Sequence, residues 1–300
     1  MSSAGQALAL PRRGASTRFR PKQHGSDLVW AVAFVLPYAG VFIVFAIFPV
    51  AYGFWMAAGL SLYADLIADP IYIRTVINTL LFVGIGVNLK LFLAVLLSGF
   101  FMQRHWWIRP LLLIYVLPWA LSAIPTFTSF HWMLIGPGGF VDSVTLALFG
   151  IEAPIWFNDR WLALGCDIVS YIWKWMPFWT VIFLAARMAI PREILEAAEI
   201  DGATGSRRFI HITFPLLANV YLICTLLATI WACGDFNAVS LVSGGAPKMT
   251  SDVLATLGRR YAFDMARPEL AIATAVSALP VLIPLAIVLM REMRLRDVQL

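Results

Sequence analysis

The chain has 300 residues, of which 61% are hydrophobic and 13% are charged, and its formal net charge is +5. An ordinary globular domain is about 45–50% apolar and about 25% charged, so a mean hydropathy of +0.81 excludes a water-soluble globular protein. Three cysteines are too few for a secreted module held together by disulfides, and the composition therefore predicts a polytopic membrane protein.

Six apolar runs are long enough to cross about 30 Å of hydrocarbon, which takes about 20 helical residues. They are Leu28–Val50, Thr79–Phe101, Leu111–Met133, Trp161–Arg187, Leu216–Asp235 and Leu270–Met290. An even number of spans places both termini on one side of the membrane. The termini and the loops after spans two and four hold about fourteen of the Lys and Arg residues, so the positive-inside rule predicts that both termini are cytoplasmic. The predicted fold class is an all-α membrane protein with six transmembrane helices.

The chain divides by composition into four parts. They are a basic cytoplasmic tail over residues 1–27, a first span with its outer loop over 28–75, a five-span core over 76–290 and a second cytoplasmic tail over 291–300. We expect the first span to be peripheral to the core. The first tail carries Arg12, Arg13, Arg18, Arg20 and Lys22. Such charges either contact anionic lipid headgroups or only direct topology, and we favour the second interpretation.

Motifs for catalysis and nucleotide binding are absent from the sequence. It contains no Gly-Lys-Ser/Thr phosphate loop, HExxH, CxxC or GxSxG, and these motifs are the usual signs of nucleotide, zinc or hydrolase sites. No two histidines fall at metal-ligand spacing. We therefore expect a protein that is not an enzyme and that binds no metal or cofactor of its own.

The loop after span four predicts a short helix over residues 191–203. Pro191 suits a first helical turn, Glu193 lies near the positive end of the helix dipole, and Gly202 can adopt the left-handed conformation that ends a helix. A second helical segment then leads to Pro215. Taken alone, such a helix is most often a connector at the membrane surface.

The same helix has the features of a docking element. Ala197 and Ala198 would present a small surface that lets another protein's backbone come close, and Glu196 and Glu199 place charge beside it. An element of this kind fits into a cleft on a partner protein.

The spacing in this loop resembles the EAA loop of binding-protein-dependent ABC importer permeases. That pattern is Glu-Ala-Ala, three residues, Gly, nine residues, Ile, one residue and Leu-Pro. The positions that match in register are Glu196, Ala197, Ala198, Gly202, Ile212 and Pro215, and Phe214 stands in place of the Leu.

Other stretches resemble the carbohydrate branch of these permeases. They are Tyr63–Pro70 with Asn78-Thr79, Trp173–Phe178, Asp201-Gly202-Ala203 and Phe236-Asn237 through Ser243–Pro247 with Thr250, where Ala246 replaces a usual Gly. The resemblance runs from about Tyr63 to Ala275. The large extracytoplasmic insertion of the maltose permease is missing.

The resemblance implies partners and a mechanism. A second permease would pair with this chain, two ATPase subunits would hold ATP and Mg, and an extracytoplasmic binding protein would deliver the substrate, with no role for nucleic acid. The residues around Glu196–Gly202, including Asp201, would form the coupling helix that docks on one ATPase. The location implied is a bacterial inner membrane, where the spans contact lipid.

Polar residues inside the spans are candidates for the substrate pathway, because such residues are costly in lipid and usually face the bundle interior. Asp167, Ser170, Tyr171 and Lys174 follow one another at i, i+3, i+4 and i+7, on one face of span four. The other candidates are Asn88 and Lys90 on span two, Trp175 on span four, and Asp235 and Asn237 beyond span five. Hydroxyl groups of a sugar need donors and acceptors, and its C–H faces stack on aromatic rings.

Structural roles compete with these assignments. Asp167 or the partner permease would neutralise Lys174, and Lys90 would pair with a carboxylate. Aromatic belts at the membrane surface explain most of the tryptophans, and His105 and Arg109 are interpreted as topology determinants.

Three alternatives to sugar import stay open. Lys90 and Lys174 would suit a phosphorylated polyol such as glycerol 3-phosphate as anion partners. A stand-alone secondary transporter would also have six spans with internal charges, but it would more often show an internal repeat. A membrane enzyme would need a clustered acid, base or metal set.

Overall fold

The computed structural model describes residues 24–297, with side chains described over residues 29–295. Most of the basic tail predicted for residues 1–27, including Arg12 to Lys22, therefore lies outside the described residues. The described part of the chain is helical and contains no β-strand. Its helices are α1 (His24–Phe42), α2 (Phe48–Met56), α3 (Leu60–Ala68), α4 (Pro70–Phe101), α5 (Ile108–Ala120), α6 (Ala123–Leu134), α7 (Phe140–Phe149), α8 (Arg160–Met188), α9 (Arg192–Ile200), α10 (Gly205–Arg208), α11 (Phe214–Cys233), α12 (Asn237–Val242), α13 (Leu254–Arg259), α14 (Pro268–Val276) and α15 (Leu279–Asp297).

The chain divides into two compact units, Met1–Tyr52 and Gly53–Leu300. In the described part of the first unit, α1 and the π-helical turn Ile43–Ile47 lead directly into α2. No side chain from residue 29 to residue 50 is buried, and a helix that is apolar on all sides is typical of contact with lipid. The first predicted span is confirmed and extends to Met56.

The second unit holds the remaining membrane-crossing helices. They are Pro70–Phe101, Arg160–Met188, Gly205–Cys233, Pro268–Leu295 and the bent pair α5 and α6. The described residues thus contain five long apolar helices, or six spans when the bent pair counts as one. The second span begins earlier than predicted because Asp69 caps it, accepting a hydrogen bond of 2.8 Å from the amide of Ile71.

The third predicted span, Leu111–Met133, is not one continuous helix. Its two halves, α5 and α6, meet at an angle of 94°, with extended backbone at Leu121 and Ser122. Pro118 has no N–H to donate and its ring disfavours a continuous helix. The sequence shows one apolar run here because hydrophobicity alone does not indicate such a break.

The core of the second unit lies between α4, α8 and α11. Phe82 of α4 packs against Tyr171 of α8 with a ring centroid distance of 4.9 Å, and the buried side chains of Trp179, Phe183 and Cys224 continue the cluster. Because this core runs along α8, one face of α8 packs against α4 and the loop after α12. This packing positions the polar residues described next.

Candidate functional site

Helix α9 ends in a Schellman motif, in which a left-handed residue closes the helix and two amides bond back to it. Gly202 has a φ of +74°, and its amide donates to the carbonyl of Glu199 over 3.1 Å. The amide of Ala203 donates to the carbonyl of Ala198 over 2.8 Å. The predicted helix and its terminating glycine are confirmed, with α9 covering Arg192–Ile200.

The exposed face of α9 differs from the predicted one. Glu196 and Ala197 are exposed, but Ala198 is only 3% exposed and packs within the chain. The prediction that both alanines face a partner is wrong for Ala198, because successive helix positions point about 100° apart and the helix turns Ala198 toward the rest of this chain. The outward side instead includes Ile200, which is 87% exposed, and Asp201.

Short connections join α9 to two membrane-crossing helices. Only residues 189–191 separate it from α8, and residues 201–204 lead to α10, which continues through a π-helical turn into α11. Arg208 of α10 forms an ion pair with Glu199 of α9. Ile212 is half-buried in the π-helical turn, and Pro215 is exposed in the first turn of α11.

The predicted polar face of α8 is real and fully buried. Asp167, Ser170, Tyr171 and Lys174 are each no more than 1% exposed. Asp167 accepts two hydrogen bonds from Ser243, at 3.2 Å from the amide and 2.8 Å from the hydroxyl. Ser170 donates back to the carbonyl of Asp167 at 2.9 Å. Asp167 thus anchors the loop that follows α12.

Lys174 is held by main-chain carbonyls at the break between α5 and α6. Its ammonium group donates to Pro118 at 2.7 Å and to Trp119 at 3.3 Å, and it also donates to the carbonyl of Leu121. An ammonium group has three hydrogens, so the three carbonyls use all of them. Asp167 is not its partner, because it bonds Ser243 instead, and a substrate contact by Lys174 is not favoured by this geometry.

Lys90 lies in an aromatic environment. Its ammonium group is 2.9 Å from the hydroxyl of Tyr171, 4.3 Å from the centre of that ring and 5.6 Å from the ring centre of Trp179. Within the described residues it forms no ion pair with a carboxylate at 4 Å or less. The expected direct pairing of Lys90 with a carboxylate is therefore not present.

Asp235 is the carboxylate whose charge acts on Lys90 from farther away. It lies just beyond α11 and accepts a hydrogen bond of 2.9 Å from the amide of Ala238. Burial raises the pKa of Asp235, while the Ala238 amide and the positive charge of Lys90 oppose that rise. The two opposite charges thus interact without forming a direct ion pair.

The remaining candidates are less enclosed. Asn88 is exposed on α4 and lines a mostly apolar cavity of about 440 Å³ between α4, α11 and α15. Trp175 is half-buried, with its ring 6.3 Å from that of Trp231, and Asn237 is half-buried at the start of α12. Their assignment to the substrate pathway stays a prediction.

The family model for the binding-protein-dependent transport system inner membrane component matches residues 90–295. The chain belongs to this family. The match covers every span except the first and most of the second, and it includes α9, so this chain is a membrane-spanning permease component of an ABC importer. The family gives no support to the stand-alone transporter or the membrane enzyme considered above.

Permeases of several named transport systems are similar to this chain. A sulfoquinovosyl glycerol transport system permease of Agrobacterium fabrum is 34% identical over 66% of this chain and 64% of its own length. A trehalose/maltose transport system permease of Thermococcus litoralis is 28% identical over 76% of this chain and 81% of its own. An sn-glycerol-3-phosphate transport system permease of Yersinia pseudotuberculosis is 28% identical over 78% and 84%.

Solved structures support the fold. A crystal structure of a bacterial ABC transporter involved in alginate import matches with a TM-score of 0.79 over 90% of this chain and 96% of that chain, at 22% sequence identity. At this identity the likeness shows the permease fold alone.

A second polar network of the permease was not predicted as a site. At the end of the spans away from α9, Asn78 donates to the carbonyls of Thr250 and Asp252, each over 2.8 Å, and accepts from Arg160 at 2.7 Å. Arg260 pairs with Asp252 over 2.7 Å. The sequence contained one usable signal, since Asp252 is the single acid in an otherwise uncharged stretch after Lys248.

Asp252 is the buried centre of this network, with a fully buried side chain. Burial raises the pKa of Asp252, and the positive charge and hydrogen bonds of Arg260 oppose that rise. The pair holds the loop after α12 in place at the start of α13. Within residues 24–297, no group of three or more His, Cys, Asp or Glu side chains is arranged to hold a metal ion.

Proposed function

We propose that this permease imports a carbohydrate or glycoside by alternating access, with α9 as the helix that docks on an ATPase subunit. The observation that carries the proposal is the placement of α9. Its exposed side holds Glu196, Ala197 and Ile200, and short connections join its two ends to α8 and α11. Because both ends of α9 are joined closely to membrane-crossing helices, a displacement of α9 by a docked partner is transmitted to both of them.

The proposed assembly contains a second permease, two ATPase subunits and a soluble binding protein. ATP and Mg would be held by the ATPase subunits. Both termini would lie in the cytoplasm on the same side as α9, and the membrane would be a bacterial inner membrane. The basic residues Arg192, at the start of α9, and Arg104, on the loop after α4, support this orientation.

A carbohydrate cargo is supported by the sugar or glycoside for which two relatives are named and by the chemistry near span five. The Lys90 and Asp235 pair lies close to aromatic rings, including Trp179 and Trp175, and sugars need polar partners beside ring faces. Glycerol 3-phosphate is the second candidate, because one relative carries that name. It is less favoured because Lys174, expected as an anion partner, gives its hydrogens to carbonyls.

A graded series at Gly202 tests the coupling role. Valine is poorly tolerated at positive φ, whereas asparagine adopts this conformation at small cost. A Cβ at Gly202 meets no atom of this chain within 4 Å, so the penalty comes from the backbone and from any docked partner. With its partner subunits in lipid nanodiscs, Gly202→Val should lower ligand-stimulated ATP hydrolysis about tenfold, the effect of about 1.4 kcal/mol, and Gly202→Asn should lower it far less.

The ligand panel identifies the cargo in the same assay. Trehalose, maltose, sulfoquinovosyl glycerol and sn-glycerol 3-phosphate are added one at a time with the binding protein. If a sugar stimulates ATP hydrolysis in the wild type and this stimulation is lost in Gly202→Val, both parts of the proposal are supported. Stimulation by glycerol 3-phosphate alone overturns the cargo, and equal hydrolysis in the Val and Asn variants overturns the coupling role of this turn.

A further inference from the structure

A basic cavity opens beside α9, at the ends of three membrane-crossing segments. Its volume is about 860 Å³. The lining comes from the end of α4, the following loop, the start of α5, the end of α8 and the first turn of α9. None of the residues proposed for the substrate pathway lines it.

The charge of this cavity is entirely positive. Its lining includes Arg104, Arg109, Arg187, Arg192 and His105, and no acidic residue. Within the described residues, none of the four arginines forms an ion pair with a carboxylate. Four guanidinium groups around one space, with no acidic side chain in its lining, attract an anion.

Arg187 is the most constrained of these arginines. It is 8% exposed, and its Nε donates to the hydroxyl of Ser98 over 2.7 Å while Nη2 donates to the carbonyl of Val95 over 3.0 Å. The ring of Phe209 lies 5.3 Å from its guanidinium carbon. These partners orient the guanidinium but carry no negative charge, so its buried positive charge is not neutralised by the chain itself.

Much of the lining is apolar, and these residues are called the apolar wall. They are Phe101, Met102, Ile108, Leu112, Leu184, Met188, Ile190 and Leu195. Trp106, also in the lining, is 86% exposed, and exposed tryptophans are typical of the membrane surface. A space that offers both guanidinium groups and apolar side chains matches a ligand with an anionic head and a hydrocarbon tail.

We propose that this cavity binds the phosphate of an anionic phospholipid, with the acyl chains along the apolar wall. The guanidinium fork matches a phosphate through paired hydrogen bonds, and basic pockets between spans are suited to lipid headgroups. The apolar wall is the reason to assign a lipid and not a free phosphate. Arg109 and His105, interpreted from the sequence as topology determinants, then contact a ligand as well, and the assignment is independent of the cargo.

Lipid titration of the full-length permease with its co-purifying subunits tests the proposal. Binding of phosphatidylglycerol and of phosphatidylcholine with the same acyl chains is measured in detergent by native mass spectrometry. Phosphatidylglycerol should bind more tightly to the wild type. Arg104→Gln and Arg109→Gln should each weaken it about fivefold, and the double variant about 25-fold, as expected for about 1 kcal/mol per cation.

Two control variants separate charge at the cavity from charge and folding in general. Arg207→Gln removes an exposed arginine of α10 that does not line the cavity, and it should leave the affinity for phosphatidylglycerol within about twofold. The double variant Arg104→Lys with Arg109→Lys keeps both charges and should retain most of the affinity. It keeps the test decisive even where the glutamine pair folds poorly.

Several results overturn the proposal. They are equal affinity for the two lipids, unchanged affinity in the double glutamine variant, and an equal loss in Arg207→Gln. Displacement of the lipid by inorganic phosphate or sn-glycerol 3-phosphate at matching concentration would assign the cavity to a soluble anion. Lipid binding that appears only after the ATPase subunits are removed would assign the cavity to protein docking.

Discussion

The ammonium group of Lys174 lies 2.7 Å from the carbonyl oxygen of Pro118, where α5 ends and the chain turns by 94° into α6. The last carbonyls of a helix have no partner within the helix, and hydrocarbon supplies no water to replace one. A buried lysine of α8 therefore provides the donors that the broken span lacks. This relationship explains how a non-helical turn is tolerated inside an apolar segment.

Lys174→Met is expected to destabilise the permease. Each buried carbonyl left without a donor costs about 1–3 kcal/mol, so the thermal midpoint of the purified complex should fall by more than about 5 °C. Lys174→Arg keeps the charge and several donors, so its thermal midpoint should fall less. Lys248→Met alters an exposed lysine and should shift the midpoint by less than about 2 °C. Equal midpoints for the two methionine variants would contradict this role.

Neighbouring alanines of α9 should respond differently to the same change. Ala198→Leu places a large side chain where Ala198 is buried, and overpacking costs about 1–3 kcal/mol, so the thermal midpoint should fall. Ala197→Leu changes an exposed position and should leave the midpoint almost unchanged, yet lower ligand-stimulated ATP hydrolysis by altering the proposed docking face. Normal hydrolysis in Ala197→Leu would argue against docking on this side of the helix.

Asp167→Asn should loosen the loop after α12. The amide oxygen can replace only one of the two acceptors that Ser243 uses, and the charge-assisted character of these bonds is lost. Hydrogen exchange of the amides from 243 to 252, followed by mass spectrometry, should become about tenfold faster, which corresponds to about 1.4 kcal/mol. Ser240→Ala, one turn earlier, is the control. Unchanged exchange in Asp167→Asn would mean that other contacts hold the loop.

Arg260→Gln and Arg259→Gln form a matched pair of charge removals. Arg260 pairs with fully buried Asp252, and removing one partner of a buried pair costs about 3–5 kcal/mol. The ion pair of Arg259 with Asp264 is exposed and contributes no more than about 1 kcal/mol. The thermal midpoint should therefore fall much further for Arg260→Gln, and adding Asp252→Asn to that variant should recover part of the loss. Similar midpoints in the two single variants would contradict the buried pairing.

The sequence predicted those features that depend on neighbouring residues. Runs of apolar residues identified the spans, because each span buries its own backbone hydrogen bonds and needs only hydrophobic length. The end of α9 was predictable for a similar reason, since a Schellman turn needs a residue such as Gly202 that tolerates positive φ. The EAA spacing then connected this local turn to the permease family.

Features that depend on distant residues were decided only by the tertiary structure. The role of Lys174 requires main-chain carbonyls that lie 53 to 56 residues earlier in the sequence. The role of Asp167 requires Ser243, which lies 76 residues later. The burial of Ala198 and the shared basic cavity also arise from packing between separate helices. Hydrophobicity and spacing determine which segments cross the membrane and where a helix ends. The packing of the helices determines which polar groups meet inside the bundle. Short stretches of sequence do not indicate this packing, because it depends on residues that are far apart in the chain.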